Sequence, residues 1–564
     1  MTKWVNQLLY GDCLSLMREM PMGYVDLVYL DPPFNSNRDY AAIYEDETGR
    51  PLPEQIEAFN DLWELSPERV ESIKMMPVLM REAGVPDEVA ELWRHWMQAL
   101  RNAQPRLLSY LSYMTERLLP LRSIVKPTGS IYLHCDPTAS HYIKAMMDSI
   151  FGHQNFRNEI IWKRTFAHGG ATRWGDIHDV ILFYTRSDKY TWNKVLQAHD
   201  PNYIDTKYRF VDERGRYRLV VLTGPGKTKG ASGQAWRGYN PSDGGRHWAV
   251  PKRAIDALRE EGVKIPPDLH DQLELLYQHG FIRFPERGRG GGPGVPEFKL
   301  YLEKGQPIQD IITDIPPINS QAKERLGYPT QKPVALLERI IKASTNEGDR
   351  VLDPFCGCAT TIEAAHELKR EWIGIDIAIH AIKRVAKVRL EDRLGLREGI
   401  DFVVKGIPGS LEGAKDLWQS DKHQFQKWAI EQVDGFVTTK KTDDGGIDGR
   451  IYFSLPGQSE LESMVIEVKG GKNVSKEVVR SLRGVLDRDQ AKLAGLIIME
   501  DMGSRKTKNF LSEFADLGML DVNGVKYPRM QLLTVSDILA GQRFLTPTVA
   551  KARMMSQPSL PFGR

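Results

Sequence analysis

The sequence predicts an α/β protein, in which a doubly wound, largely parallel sheet is followed by a second, smaller α/β domain. Three observations carry this. The run VDLVYL at 25–30 and the run GSIYLHCD at 129–136 are almost wholly apolar, as in strands covered on both faces of a parallel sheet. From residue 334 onward, helix-period segments alternate with short apolar runs, the rhythm of βαβ units. A shorter α/β alternation begins after residue 421. The 564 residues suit about three units at roughly 100–200 residues per domain.

In chain order, LLYGD, CLSLMREM and VDLVYL give strand, helix, strand. Residues 50–125 read as long helices with Trp63, Trp93 and Trp96. GSIYLHCD is a strand, HYIKAMMDSIF a helix, and EIIWKR and DVILFYT are strands. From about 186 to 325 the chain becomes rich in Gly, Pro, Arg and aromatics with weak periodicity. VALLERIIKAST (helix), RVLDPF (strand), TTIEAAHELK (helix) and WIGIDI (strand) restore the rhythm. Residues 401–420, containing GIPGS, read as a linker. FQKWAIEQV, GRIYFSL, MVIEVKGG, KEVVRSLRGVLDRDQ and AGLIIME then give helix, strand, strand, helix, strand.

Composition excludes several classes. Lys and Arg (76) balance Asp and Glu (74), so any basic surface is local. Four cysteines, Cys13, Cys135, Cys356 and Cys358, are too few for a disulfide framework and fit a reducing cytoplasm. Cys356 and Cys358 lack a second Cys/His pair at zinc spacing. No signal-peptide pattern and no apolar run of about 18 residues appears, so no membrane partner is expected. Thr223–Thr228 (TGPGKT) fails the phosphate-loop spacing, because Val221 stands where glycine is needed.

Asp31-Pro32-Pro33-Phe34 ends a buried strand, where ligands bind in doubly wound folds. A carboxylate and a backbone carbonyl can accept hydrogen bonds from an exocyclic amine, the prolines hold the chain extended, and an aromatic ring can stack on a base. Alone, the tetrapeptide is equally an Asp-Pro turn. It is joined by VLDPFCGCATT at 351–361, a strand, a small-residue turn and a helix start that lets a ligand approach the backbone. Asp376 ends the next strand, 23 residues after Asp353, a spacing suited to a ribose diol. No GxGxxG occurs there, which removes the nicotinamide reading.

These segments resemble the DNA amino-methyltransferases, in the permuted order of the beta class, over residues 1–400. The resemblance implies a Rossmann-like sheet with an inserted recognition region at about 190–325, S-adenosylmethionine as cofactor, and direct methyl transfer to an extra-helical base. It assigns Asp31, Pro32, Pro33 and Phe34 to catalysis. Asp353, Phe355 and Gly357 lie in the methionine-moiety motif, Asp376 holds the ribose, and Asp12 contacts the cofactor's adenine. Thr330, Gln331 and Lys332 belong to the preceding motif, YPTQKP. Ala359 stands where the family has a second glycine, a position that favours φ > 0. Aspartate before Pro-Pro favours adenine N6 over cytosine N4. A cytosine-C5 enzyme would need a Pro-Cys pair, which is missing.

The arginines of 186–325 (Arg209, Arg214, Arg216, Arg218, Arg237, Arg246, Arg253, Arg287, Arg289) suit contacts to double-stranded DNA. The helical insert at 50–125 is a candidate surface for a homodimer or a DNA clamp.

In the C-terminal part, Glu467 and Lys469 are two apart on a strand and project from one face. A hairpin can bring Asp448 beside them. A bare D…ExK pattern is common in charged hairpins, but GGIDG and EVK in this element order resemble the Mrr-like branch of PD-(D/E)xK endonucleases, over about 421–505. The resemblance implies Mg²⁺ on Asp448 and Glu467, with Lys469 orienting water, and Glu431 as a further candidate ligand. The domain is taken as 421–564. The expected function is a site-specific adenine-N6 methyltransferase fused to an endonuclease in a restriction–modification system. The alternative is an orphan amino-methyltransferase whose C-terminal domain binds DNA without cutting.

Overall fold

The computed structural model describes residues 4–33, 44–45, 63, 65–166, 174–285, 294–319, 321–326, 331–379, 381–438, 447–456, 461–471, 476–488, 491–500, 514, 516–549 and 553–554. They form two compact units, Met1–Asn193 with Asp310–Arg564, and Lys194–Gln309.

The larger unit is built on a sheet whose strands, in chain order, are β1 (Asn6–Tyr10), β2 (Val25–Leu30), β3 (Val125–Cys135), β4 (Phe156–Lys163), β5 (His178–Thr185), β6 (Ile311–Ile312), β7 (Arg350–Asp353), β8 (Glu371–Asp376) and β9 (Phe402–Lys405). In space they run β6-β4-β5-β3-β2-β7-β8-β1-β9. Neighbours are parallel except on the two sides of β5. Its helices are α1 (Cys13–Arg18), α2 (Pro67–Glu82), α3 (Asp87–Ala103), α4 (Pro105–Ile124), α5 (Pro137–Phe151), α6 (Val334–Ser344) and α7 (Thr360–Glu367).

All six residues of β2 are buried, because both faces of the sheet are covered. Leu27 and Tyr29 pack with Leu336, Ile340 and Ile362 of α6 and α7. Val25, Val28 and Leu30 pack with Trp93, Leu111 and Leu118 of α3 and α4. The described part of the helical insert is therefore core on its inner face, with Trp93 1% exposed. The polar exception in β2, Asp26, accepts from the Arg350 amide at 2.8 Å and from Lys126 Nζ at 2.7 Å. It pins β2 to β7, with Leu27 opposite Val351 and Val28 opposite Leu352.

The stretch 401–420, expected as a linker, is folded. Its first part, β9, pairs with β1 and forms the sheet's edge, with Asn6 opposite Phe402. Leu411–Ser420 is helix α8, capped by Ser410 Oγ, which accepts from the Gly413 amide at 3.1 Å. The Gly/Pro signal marks only the turn between them. There Gly406 has φ +85°, and a Cβ would lie 2.1 Å from the Tyr10 carbonyl oxygen. Helix α9 (Lys422–Gln432) comes next, then β10 (Phe436–Val437), β11 (Gly449–Ser454), β12 (Leu461–Lys469), helix α10 (Lys476–Arg488), β13 (Leu493–Ile498) and β14 (Met530–Thr534). These strands form one sheet in sequence order. The β10-β11-β12 pairs are antiparallel and β12-β13-β14 parallel. Phe402, Phe425, Trp428 and Ile430 share one buried cluster with Leu8, Tyr10 and Trp372 on one side and Ile466 and Val468 on the other. The two sheets are thus joined through a continuous core.

The smaller unit also folds, despite its weak periodicity. Strands Phe210–Asp212, Gly215–Val221, Glu297–Tyr301 and Ile282–Arg283 make an antiparallel sheet. Trp236, Trp248, Leu258, Leu273 and Phe281 form its core.

Ala359 caps α7 in the left-handed conformation, at φ 60° and ψ 32°, fully buried. A Cβ in this region costs roughly 1 kcal/mol. Ala359→Gly is therefore expected to raise the urea midpoint of unfolding, and a midpoint equal to or below that of the parent would refute the strain.

Candidate active sites

Three parallel pairings bring separated segments to one edge. Asp31 follows β2, Asp353 ends β7 and Asp376 ends β8, and Tyr10 of β1 lies opposite Asp376. The C-terminal ends of the four central strands therefore converge. Lys332, from the segment before α6, donates to both oxygens of Asp31 at 2.8 and 2.6 Å and is 7% exposed. Assigned by the resemblance to the motif beside the cofactor, it holds the carboxylate assigned to catalysis. Pro32 is buried and Pro33 half-buried. Phe34 and Thr330 lie outside the described residues.

Beneath Asp31 runs a buried polar chain. The Tyr29 hydroxyl lies 2.8 Å from His134 Nδ1, and His134 Nε2 lies 3.2 Å from Asp179 Oδ2. Arg164 Nε lies 2.8 Å from Asp179 Oδ1. Burial alone would raise the Asp179 carboxyl, but the hydrogen bond and charge of His134, with Lys332 and Arg164, hold it below the usual carboxylate range. These residues escaped the sequence reading. Their signal was a histidine near the end of an otherwise apolar strand.

The turn after β7 wraps its own acids. The Phe355 amide donates to Asp353 Oδ1 at 3.0 Å, and the Gly357 amide to Asp376 Oδ2 at 2.9 Å. Asp376 Oδ1 also accepts from the Ala378 amide at 2.7 Å. Burial raises the Asp376 carboxyl despite these bonds. Burial pushes Asp353 up to about 7, with repulsion from Asp31 and Asp376 adding to it and bonds from Thr361 and the Phe355 amide opposing. Three neighbouring carboxylates suit a ligand bearing positive charge, as S-adenosylmethionine does in its sulfonium and ammonium groups. Cys356 and Cys358 are buried, and burial raises both thiols, so neither is an activated nucleophile.

Two expected cofactor contacts are otherwise engaged. Asp12 caps α1 by accepting from the Leu14 amide at 3.0 Å and takes a forked pair from Arg117 at 2.8 and 3.0 Å. Gln331 staples its own loop, donating to the Glu324 carbonyl at 2.6 Å and accepting from the Leu326 amide at 2.9 Å.

A second cluster forms on the smaller sheet of this unit. The Asp448 amide donates to the Ile466 carbonyl at 2.8 Å, and Asp448 Oδ2 accepts from the Val468 amide at 2.6 Å. Gln426 of α9 donates to Asp448 Oδ1 at 3.2 Å. Lys469 Nζ lies 2.6 Å from Glu467 Oε1. Glu467 is 3% exposed, and its Oε2 has no hydrogen-bond partner among the described residues. Burial raises both carboxyls, and the charge of Asp448 adds to the rise at Glu467. A buried, unpartnered carboxylate oxygen facing a second acid fits a cation. Glu431 does not join them. Its Oε2 accepts from the Ile379 amide at 3.1 Å, in the turn after β8. Among the described residues, no group of three His, Cys, Asp or Glu side chains is placed to hold a metal.

In the smaller unit most of the expected DNA-contacting arginines are paired. Arg214 meets Glu261 at 2.6 Å, Arg216 Asp205 at 3.0 Å, Arg237 Glu274 at 2.7 Å and Arg253 Glu303 at 3.0 Å. Arg209 and Arg246 donate to the Thr206 carbonyl and to Thr223 Oγ1, both at 2.7 Å, and Arg218 lies over the Tyr208 ring. Exposed pairs of this kind contribute about 0–1 kcal/mol, so phosphates can compete for these guanidinium groups. Arg287 and Arg289 lie outside the described residues.

The family model described as DNA methylase matches residues 25–387, and the model described as restriction endonuclease matches 418–524. The type II methyltransferase M.EcaI of Enterobacter cloacae is 32% identical over 56% of this chain and 65% of its own length. The StyLTI Mod subunit of a type III restriction-modification enzyme of Salmonella typhimurium is 26% identical over 65% of this chain and 50% of its own. The DNA adenine methyltransferase YhdJ of Escherichia coli is 46% identical over 14% of this chain and 26% of its own. The chain thus spans between half and two thirds of the length of the first two relatives.

The raised Asp353 carboxyl fixes a pH dependence. Its folded pKa, about 7, lies above the unfolded value near 4. The stability linked to its proton is therefore full below about pH 4 and is lost as pH rises through 7. Asp353→Asn keeps the acceptor without the charge. Its stability relative to the parent is expected to rise between pH 5 and 8 by roughly 1–3 kcal/mol, measured by urea unfolding at each pH. A pH-independent difference would refute the assignment.

Proposed function

Because the chain belongs to the DNA methylase family, we propose that it transfers a methyl group from S-adenosylmethionine to the N6 amine of adenine in double-stranded DNA, and that its restriction-endonuclease part cuts DNA with Mg²⁺. One polypeptide would then serve both halves of a restriction–modification system. The observation that carries the first half is the grip of Lys332 on Asp31 at 2.8 and 2.6 Å, at an edge shared with Asp353 and Asp376.

Asp31 and the Pro32 carbonyl accept hydrogen bonds from the target amine and turn its lone pair toward the cleft. Lys332 donates to both oxygens of Asp31 and fixes the plane of the carboxylate. When bound, S-adenosylmethionine would supply an electrophilic methyl: the N–C bond forms as the S–C bond breaks, its electron pair leaves on sulfur as S-adenosylhomocysteine, and the surplus proton of the methylated amine passes to solvent. Asp376 would hold the ribose, and Asp353 with the Gly357 turn would take up the methionine end. Alignment supplies most of the acceleration. The choice of adenine rests on Asp31 before Pro-Pro and on the likeness to a DNA adenine methyltransferase. The arginines of the smaller unit are the candidate contacts to phosphate and base edges. A cytoplasmic setting fits four buried, unpaired cysteines and the lack, among the described residues, of a helix long and apolar enough to cross a membrane.

In the nuclease part, Asp448 and Glu467 would hold Mg²⁺, which when bound polarises the phosphate. Lys469 orients water beside them. The unpartnered Glu467 Oε2 favours cutting over mere DNA binding.

Asp31→Ala is expected to abolish methyl transfer while leaving cofactor affinity within roughly twofold. Tritiated methyl incorporation and calorimetry measure the two, and near-parental transfer would sink the assignment. Lys469→Ala should keep methylation and metal binding but lose Mg²⁺-dependent cleavage of unmethylated DNA carrying the site, which genome-wide sequencing of modified bases identifies. Cleavage by this variant at the parental rate would mean that the site lies on another strand.

A further inference from the structure

Glu431 belongs by sequence to the restriction-endonuclease part, within the 418–524 match, yet it serves the other site. Its Oε2 accepts from the Ile379 amide at 3.1 Å. The turn Asp376–Ile379 is therefore held by two carboxylates. Asp376 itself takes the Ala378 amide at 2.7 Å and the Gly357 amide at 2.9 Å, and Glu431 takes the next amide along. Tyr10, opposite Asp376 in the sheet, is buried against the same carboxylate. Burial raises the Tyr10 phenol most, and the Glu431 charge comes next. Two buried rings of α9, Phe425 and Trp428, lock the helix into the cluster that contains Tyr10, Trp372 and Ile379.

The cost of this placement is visible. Enclosure pushes the Glu431 carboxyl up to about 7, with Asp376 adding repulsion and Lys427 and the Ile379 amide opposing. The nuclease cluster does not use it. There the residue of α9 that reaches Asp448 is Gln426, at 3.2 Å.

We propose that Glu431 is a positioning residue of the methyltransferase, supplied by the nuclease part, which fixes the Asp376–Ile379 turn so that Asp376 is held ready for the cofactor's ribose. The proposal rests on the reading of Asp376 as the ribose acid. It adds that the cofactor site is incomplete without helix α9. The methyltransferase therefore extends beyond residue 400, through the end of that helix.

The test uses the full-length chain with Glu431→Ala, Glu431→Gln and, as reference, Asp376→Ala. Glu431→Ala should raise the Kd and KM for S-adenosylmethionine by about tenfold or more, as for one lost hydrogen bond to a charged group, with kcat within roughly twofold. Glu431→Gln, which keeps a carbonyl acceptor for the Ile379 amide, should restore both. In the cofactor-free protein, the amides of 377–379 should exchange faster in the alanine variant than in the parent. Mg²⁺-dependent cleavage should persist. If Glu431→Ala does not fold, Glu431→Asp, which withdraws the carboxylate by one methylene, should show the same rise in Kd. Parental cofactor affinity in the alanine or aspartate variant, alongside weakened binding by Asp376→Ala, would overturn the proposal alone. Parental affinity in Asp376→Ala would overturn the ribose reading and the proposal with it. Loss of cleavage with unchanged cofactor affinity would return Glu431 to the nuclease and also overturn it.

Discussion

The parallel seam between β2 and β7 joins segments that lie far apart in the chain, and every feature of the larger cleft depends on it. Leu27 and Val28 face Val351 and Leu352, and Asp26 ties the seam by accepting the Arg350 amide while Lys126 balances its charge. A slip of one residue would turn every side chain of β2 to the opposite face. Leu27 and Tyr29 would exchange layers with Val28 and Leu30, and Asp31 would leave the edge it shares with Asp353. The buried Asp26 fixes register because an unsatisfied carboxylate there would be costly. One acid in an otherwise apolar strand thus sets where another acid stands.

The two clusters use carboxylates in opposite ways. In the larger cleft the acids are satisfied by the protein itself. Lys332 holds Asp31, and backbone amides hold Asp353 and Asp376. Burial, with the repulsion of Asp31 and Asp376 adding to it, raises Asp353, and the clustered acids favour a cationic ligand. In the smaller cluster Glu467 keeps one buried oxygen unpartnered, which a cation of small radius would satisfy. The first arrangement suits a large organic cation. The second offers a bare acceptor beside a second acid.

Much of this was legible in the sequence wherever chemistry follows a strand end. Asp31, Asp353 and Asp376 each stand at the end of an apolar run, and Glu467 and Lys469 share a face because strand periodicity requires it. What escaped depends on contacts between distant segments. Nothing local says that Lys332 reaches Asp31, or that Arg117 on α4 bonds Asp12. Residues 401–420 misled because Gly406, Pro408 and Gly409 signal a turn without saying that a sheet strand precedes it and a helix comes after it. Glu431 misled in another way. Adjacency in sequence to the nuclease motif suggested a shared site, while the helix's rotation sends Gln426 toward Asp448 and Glu431 toward Ile379.

The continuous core between the two sheets bears on how such a gene can decay. A stop that removed α9 would strip Phe425 and Trp428 from the cluster that holds Tyr10 and Trp372, so the proposed methylation would be lost together with the proposed cleavage. Stops further downstream, beyond α9 but within the nuclease sheet, would disarm the chain more selectively. On the proposed function, the packing would divide truncating alleles into those that forfeit both activities and those that forfeit one, with the boundary inside the segment matched by the restriction-endonuclease model.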